Sequence, residues 1–406
     1  MTFKLFSTLT AIFLCFQSGD SANSCQLNWG TNLLPAWFPL IWNDTSIVYP
    51  KYNGTEWLIE MTPKTSLQFG CGEATNLLQN FLLPETLLTC DGYGNLKAGL
   101  VSPNFTSMGC LNQVKEKVVH LPASTCYNGY DNIDITFLSA TNSFPLINVC
   151  HNTAKDETIF AQHTIHGAAL NPYEVSNRRP SFKEGGYYPT FTADDAYSQK
   201  SQLAVVTELT GPSRGPAYID AARSFYFARG HLAPDGDFVH IYEQNATYYF
   251  VNVVPQWQII NNGNWKAMEM AIRDLATERQ IDLKVWTGGL GTLTMQNENG
   301  TDVEIYLAKD ALKNRRLPVP MISWKVIHNP VSKSAAAIFM VNNPHLVDVP
   351  QSLIKCPDIC PQLPWVTWPT KTIQKGYTYC CDMKFVQTNG ILPMISNLGA
   401  DVLLLV

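Results

Sequence analysis

Charge is scarce in this chain of 406 residues. Asp, Glu, Lys and Arg make up 15% of it, and acids outnumber bases for a formal net charge of −5. That balance excludes a protein whose whole surface clings to a polyanion, such as a storage protein or a tight sequence-specific nucleic-acid binder. No internal repeat and no low-complexity linker is present, which excludes solenoids, propellers and tethered arrays. Beyond Phe16 no apolar run is long enough to cross a bilayer as a helix. The sequence has no Gly-x-x-x-x-Gly-Lys loop, no His-Glu-x-x-His helix and no Gly-x-Ser-x-Gly elbow. Chemistry that depends on those three devices is therefore absent. Cysteine is missing between Cys150 and Cys356.

The cysteines that are present flank that gap. Cys25, Cys71, Cys90, Cys110, Cys126 and Cys150 precede it, and Cys356, Cys360, Cys380 and Cys381 follow it. Met1 to about Ala22 reads as a secretory signal: Lys4 gives the basic start, Leu5 to Phe16 the apolar run, and Cys15 lies inside it. The ten cysteines beyond it are an even number in an exported chain, so three bridges are expected before the gap and two after it. Their pairing stays open, and a zinc site built from Cys356, Cys360, Cys380 and Cys381 is the alternative for the last four. Asn43, Asn53, Asn104, Asn245 and Asn299 head glycosylation sequons, and Asn245 is expected on a solvent-facing loop tip.

Hydrophobic residues make up 46% of the chain, enough for a core and two or three structural units. The expected organisation is a signal over 1–22, a disulfide-rich β region over 23–150, a central unit over 151–350 and a Cys-containing segment over 351–406 packed on it. Short β-type runs such as Leu58–Met61 and Lys117–Leu121 mark the first region. In the centre, 158–167 and 281–289 read as strands, and 320–327 with 335–341 as a hairpin. Val402 to Val406 reads as a final buried strand.

The most informative stretch runs from Ala228 to Arg273. Ser224–Phe227 and Thr247–Gln256 read as strands. Arg229-Gly230-His231 closes the first strand. Asn261-Asn262-Gly263-Asn264-Trp265 follows the second and opens a helix that carries Glu269 and Arg273. A neutral imidazole takes a proton from water near neutral pH. An asparagine amide oxygen suits a hard cation such as Mg²⁺, which keeps most of its own waters. Asn261, Trp265, Glu269 and Arg273 recur every fourth residue, a stripe on one helix face. Glu269 is then placed to hold a metal-bound water, and Arg273 to pair with Glu269 or a phosphate. Taken singly, each residue also has a bland reading: a strand-end histidine, a turn and helix cap, a core tryptophan, a surface ion pair.

In register, these residues resemble the DNA/RNA non-specific endonuclease family, whose site is a ββα-metal finger. Its pattern is Asp-Arg-Gly-His, then a strand, then Leu-Asn-Gln-x-x-Trp-x-x-x-Glu. Here the two parts read Ala228-Arg229-Gly230-His231 and Ile260-Asn261-Asn262-Gly263-Asn264-Trp265-Lys266-Ala267-Met268-Glu269. Ala228 departs from the family's Asp. The resemblance covers roughly residues 150 to 345, and the Cys-rich flanks are similar to those of secreted arthropod double-stranded ribonucleases and salivary endonucleases. It implies an α+β fold: a mixed α/β nuclease core preceded by a small disulfide-braced β domain.

The resemblance also implies roles. His231 is the general base, Asn261 the direct ligand of Mg²⁺ (Mn²⁺ substituting), and Glu269 a ligand through water. Arg229 and Arg273 become phosphate or transition-state contacts. Asn177–Lys183 is similar to the family's basic segment, so Arg178 or Arg179 contacts phosphate. The expected substrate is DNA and/or RNA, cut outside the cell, with no membrane and no protein partner evident. A secreted protein that binds nucleic acid without cutting it is the competing class. His163 and His166 read as structural, and Lys313-Asn314-Arg315-Arg316 as a basic cluster on the substrate face.

Overall fold

The computed structural model describes residues 23–29, 33, 37–44, 46–101, 108–170, 179–395, 398–399 and 402–404. The expected signal segment, Asn104 and Arg178 lie outside them. Its backbone is a large antiparallel sheet. In spatial order the strands are Thr378–Asp382, Ser334–Val341, Pro320–Asn329, Asp282–Thr292, Glu157–His166, Ser143–Asn152, Asp131–Leu138 and Lys117–Thr125. Val402–Leu403 adds a short parallel strand beside Ser334–Val341. Of the described residues of the expected buried strand, Val402 is 57% exposed and Leu404 is buried.

Ser334–Val341 is small and apolar along its length because both of its faces are covered. Ala336, Ile338 and Met340 point into the main core, together with the long helix Lys266–Arg279. Ala335, Ala337, Phe339 and Val341 point into a second core on the other face, shared with Cys356, Tyr379 and Met383. The C-terminal segment closes that second core. The position expected as a boundary, residue 150, falls inside the strand Ser143–Asn152, so residues 117–152 share one sheet with the segment that follows.

Residues 25–97 form two smaller sheets. They meet the centre through a stack of rings around His240, with Phe38 at 4.5 Å, Trp29 and Tyr242 at 4.8 Å, and Tyr49 at 5.6 Å. Burial pushes the His240 imidazole down to about 3, and the nearby charge of His166 adds to this. In the unfolded chain the ring titrates near ~6.5. Its contribution to stability is therefore present above that pH and lost as pH falls toward the folded value. His240→Phe keeps the stack without the titration. Thermal melts of wild type and variant at pH 8 and pH 5 should show the variant gaining on the wild type at the lower pH. Parallel behaviour at both would contradict the assignment.

Five disulfides join Cys25–Cys90, Cys71–Cys110, Cys126–Cys150, Cys356–Cys381 and Cys360–Cys380. Three precede the cysteine-free stretch and two follow it. The zinc alternative is corrected: all four of its cysteines are bonded to each other. Thiol labelling of the denatured, unreduced mature protein should find none of these ten free, and two labelled residues would contradict the pairing. Among the described residues, no helix is long and apolar enough to cross a membrane. Asn43, Asn53 and Asn299 are exposed. Asn245 lies on the helix Ile241–Ala246 rather than a loop tip, and among the described residues its buried Oδ1 has no hydrogen-bond partner.

Candidate active site

The strand Phe227–His231 pairs antiparallel with Val253–Trp257, and His231 sits opposite Val253 at the end. Both strands are shorter than the sequence suggests. Asp220 and Phe225 bridge a tight turn ahead of the first. Residues 247–252 coil before the second, with a single 3₁₀ turn at Phe250–Asn252. Gly230 permits the close pairing: a Cβ there would lie 2.8 Å from the Gln256 Cβ.

Strand alternation puts Arg229 and His231 on one face. Both meet Phe182, whose ring lies 5.2 Å from the imidazole and 5.5 Å from the guanidinium carbon. Tyr197 at 5.5 Å and Phe250 at 5.6 Å complete an aromatic box around Arg229, which also pairs with Asp194. The Tyr248 ring stands edge-on to His231 at 5.0 Å. The imidazole Nε2 is buried and, among the described residues, has no hydrogen-bond partner. Burial holds this ring down to about 4; Asp235 opposes that and Arg179 reinforces it. His231 is thus neutral at neutral pH, and the hydrogen-bonding capacity of its Nε2 is unused among the described residues. Arg179 Nε lies 3.5 Å from Asp235 Oδ2, and the Tyr248 hydroxyl donates to the same oxygen at 2.6 Å.

The second half of the motif is a bent helix. Gln258–Ile260 leads into a π-helical turn, Asn261–Trp265, and then into Lys266–Arg279. Gly263 leaves helical geometry at φ −91°, ψ −123°, which widens the turn. The C-terminal segment holds it in place. Asn264 Nδ2 donates to the Pro369 and Gly376 carbonyls, each at 2.8 Å, and a Cβ on Gly263 would meet the Lys375 carbonyl at 2.7 Å. Trp265 is buried and Asn261 is half-buried.

Glu269 and Arg273 follow one turn apart. Burial pushes the Glu269 carboxyl up to about 7; Lys325 and Arg273 oppose this, and Asp237 and Asp235 reinforce it. Asp235 therefore acts on both His231 and Glu269, one from each half of the motif. The sequence leaves Arg273 open to Glu269 or a phosphate; its Nη1 donates to Asp237 Oδ1 at 3.0 Å, while its charge still acts on Glu269. Asp237 also meets His163 Nε2 at 2.8 Å. Lys325 is buried behind the site, donating from Nζ to Thr287 Oγ1 at 2.7 Å and the Leu232 carbonyl at 3.3 Å.

Asp235, Asp237, Lys325, Phe182 and Tyr248 were not legible as site residues, because their partners are distant in sequence. The Asp-Gly-Asp spacing just after His231 was the one available signal. The basic cluster at 313–316 is engaged with its own neighbourhood: Arg315 with Glu304, and Arg316 with Asp310 and Asp156. Among the described residues, the sole trio of metal-capable His, Cys, Asp or Glu groups is Asp358, Cys360 and Cys380, and its cysteines are bonded to each other. The His231–Glu269 site has no such cage. Asn261 and Glu269 bring to it an amide oxygen and a carboxyl that a nearby cation would stabilise as carboxylate. That set fits a hard divalent ion that keeps most of its waters.

A family model described as "DNA/RNA non-specific endonuclease" matches residues 128–385. The chain belongs to the DNA/RNA non-specific endonuclease family. The match takes in both strands of the motif, the bent helix, and the segment that clamps it. The chain is similar to the "Salivary endonuclease" of Lutzomyia longipalpis, 31% identical over 259 residues, 63% of this chain and 60% of that one. It is 27% identical to "Salivary protein Tsal1" of Glossina morsitans morsitans over 58% of this chain and 57% of that one. A shorter match, 38% identical, joins 25% of the chain to 27% of "Nuclease EXOG, mitochondrial" of Xenopus laevis. The chain thus spans 60% or less of the length of these curated relatives.

Proposed function

We propose that this endonuclease-family protein is a secreted, Mg²⁺-dependent enzyme that hydrolyses phosphodiester bonds of DNA and RNA, chiefly in duplexes. The observation that carries the reading is His231: a neutral imidazole whose buried Nε2 has no hydrogen-bond partner among the described residues, with Asp235 acting on both it and Glu269. His231 Nε2 takes the proton of the attacking water. Arg273 and Arg179 hold phosphate oxygens, and Arg229 steadies the same face. Asn261 and, through water, Glu269 would hold Mg²⁺, for which Mn²⁺ substitutes; when bound, the ion offsets charge on the leaving oxygen.

No group in this scheme uses a ribose 2′-hydroxyl, so both nucleic acids are substrates and the products carry 5′-phosphate and 3′-hydroxyl ends. Contacts to phosphate dominate, and base preference is weak. Secretion is supported by the basic-then-apolar start of the chain, by five disulfides, and by relatives named as salivary proteins. The test is a plasmid-nicking assay with Mg²⁺ and with excess chelator. The reading expects nicking only with the ion. Binding of plasmid without nicking, or hydrolysis of a small phosphodiester with plasmid left intact, would overturn it.

A further inference from the structure

The short turn Asp235–Asp237 follows His231 after Leu232, Ala233 and Pro234 and sends its two carboxylates in different directions. Asp235 faces Tyr248 and Arg179, beside His231. Asp237 turns inward. Its side chain is 4% exposed, and both oxygens are engaged: Oδ1 by Arg273 Nη1 at 3.0 Å, and Oδ2 by His163 Nε2 at 2.8 Å. His163 is fully buried on a third element, the main-sheet strand Glu157–His166. One carboxylate thus joins the loop after the base, the helix of Glu269 and Arg273, and the central sheet.

A carboxylate is costly to bury unless strong partners satisfy it, and unequal partners leave it free to swing. Here a guanidinium and an imidazole N–H take one oxygen each, both in charge-assisted bonds. Burial raises the Asp237 carboxyl, but the His163 bond and the charge of Arg273 outweigh it and hold the group below its ordinary value. The arrangement also fixes Arg273. The helix sets only where its Cα lies, and several rotatable bonds separate that from the guanidinium. Asp237 pins one edge of the guanidinium. The backbone at Gly236 packs against it too, since a Cβ there would lie 3.0 Å from Nη1. The Arg273 side chain keeps 16% exposure.

We infer that Asp237 is a positioning residue for phosphodiester cleavage, holding the Arg273 guanidinium in the orientation that meets the phosphate, with His163 as its anchor in the sheet. This rests on the reading of Arg273 as a phosphate contact given above. A geometric error of about 1 Å at such a group lowers the rate by up to about 10²-fold. Asp237→Asn keeps the shape but weakens the grip on Arg273.

The experiment is a double-mutant cycle. Wild type, Asp237→Asn, Arg273→Ala and the double variant are assayed for kcat and KM on duplex DNA at saturating Mg²⁺, with a thermal melt of each. Asp237→Asn is expected to lower kcat/KM by about tenfold, up to that limit. It should have no further effect once Arg273 is alanine. A merely structural Asp237 would lower the rate by the same factor in both backgrounds, and that result would overturn the inference, as would a folded Asp237→Asn protein at the wild-type rate. An Arg273→Ala protein at the wild-type rate would instead sink the reading of Arg273 itself. Should Asp237→Asn fail to fold, His163→Phe removes the anchor and leaves the Asp237–Arg273 pair. It is expected to lower kcat/KM with Arg273 present and not without it; a folded His163→Phe protein at the wild-type rate would overturn the inference.

Discussion

His231→Ala protein should cut plasmid about 10²–10⁴-fold more slowly than wild type while remaining secreted and folded. The imidazole Nε2 gives up no hydrogen bond on removal, because none of the described residues bonds it. The ring is half-buried at a strand end and touches Phe182 and Tyr248 across ring contacts rather than filling the centre of a core. The loss of packing is therefore small, whereas the loss of the base is large. Imidazole added to the variant should restore part of the rate by occupying the vacated space. A structural histidine would behave in the opposite way, with a lowered melting temperature, poor secretion and no rescue. Well-folded His231→Ala protein cutting at the wild-type rate would refute the mechanism.

For Asn261→Ala, the expected change is a weaker apparent Mg²⁺ affinity, by about 10²-fold, the upper end of what losing an outer hydrogen-bond partner of a metal site typically does. The maximal rate should fall as well. Asn264 supplies the control, since it sits on the same π-helical turn with its amide committed to the Pro369 and Gly376 carbonyls. Asn264→Ala should lower the melting temperature and leave the metal titration of the folded protein nearly unchanged. Calorimetric titration of Mg²⁺ into both variants, alongside rates at limiting ion, separates the two roles. If Asn261→Ala matches wild type at limiting Mg²⁺, the ligand assignment is wrong.

The local part of the site was legible because it rests on spacing. Arg229 and His231 two apart on a strand must share a face, and Glu269 and Arg273 four apart on a helix must lie one above the other. The order of strand, histidine, strand and helix follows the same logic and is seen, although helical geometry begins at Gln258, ahead of Asn261. Residues 247–252 misled for an equally physical reason. Their aromatic, β-branched composition reads as strand, but Tyr248 and Phe250 are drawn into the rings around His231 and Arg229, and that packing overrides propensity. The widened turn at Gly263 was invisible, because what packs against it is the backbone at Lys375, far along the chain.

The sequence by itself determined the family pattern and the separation of the cysteines into two groups. Those depend on residue type and near-neighbour spacing, which the covalent chain carries directly. The tertiary structure alone decided which charge meets which. Glu269 was the obvious partner for Arg273 by helical spacing, yet Asp237, anchored on His163, holds it. Such pairings are set by how the His231 loop, the helix and the sheet pack together. A buried charge takes whichever partner that packing brings within hydrogen-bond reach, whatever the distance along the chain.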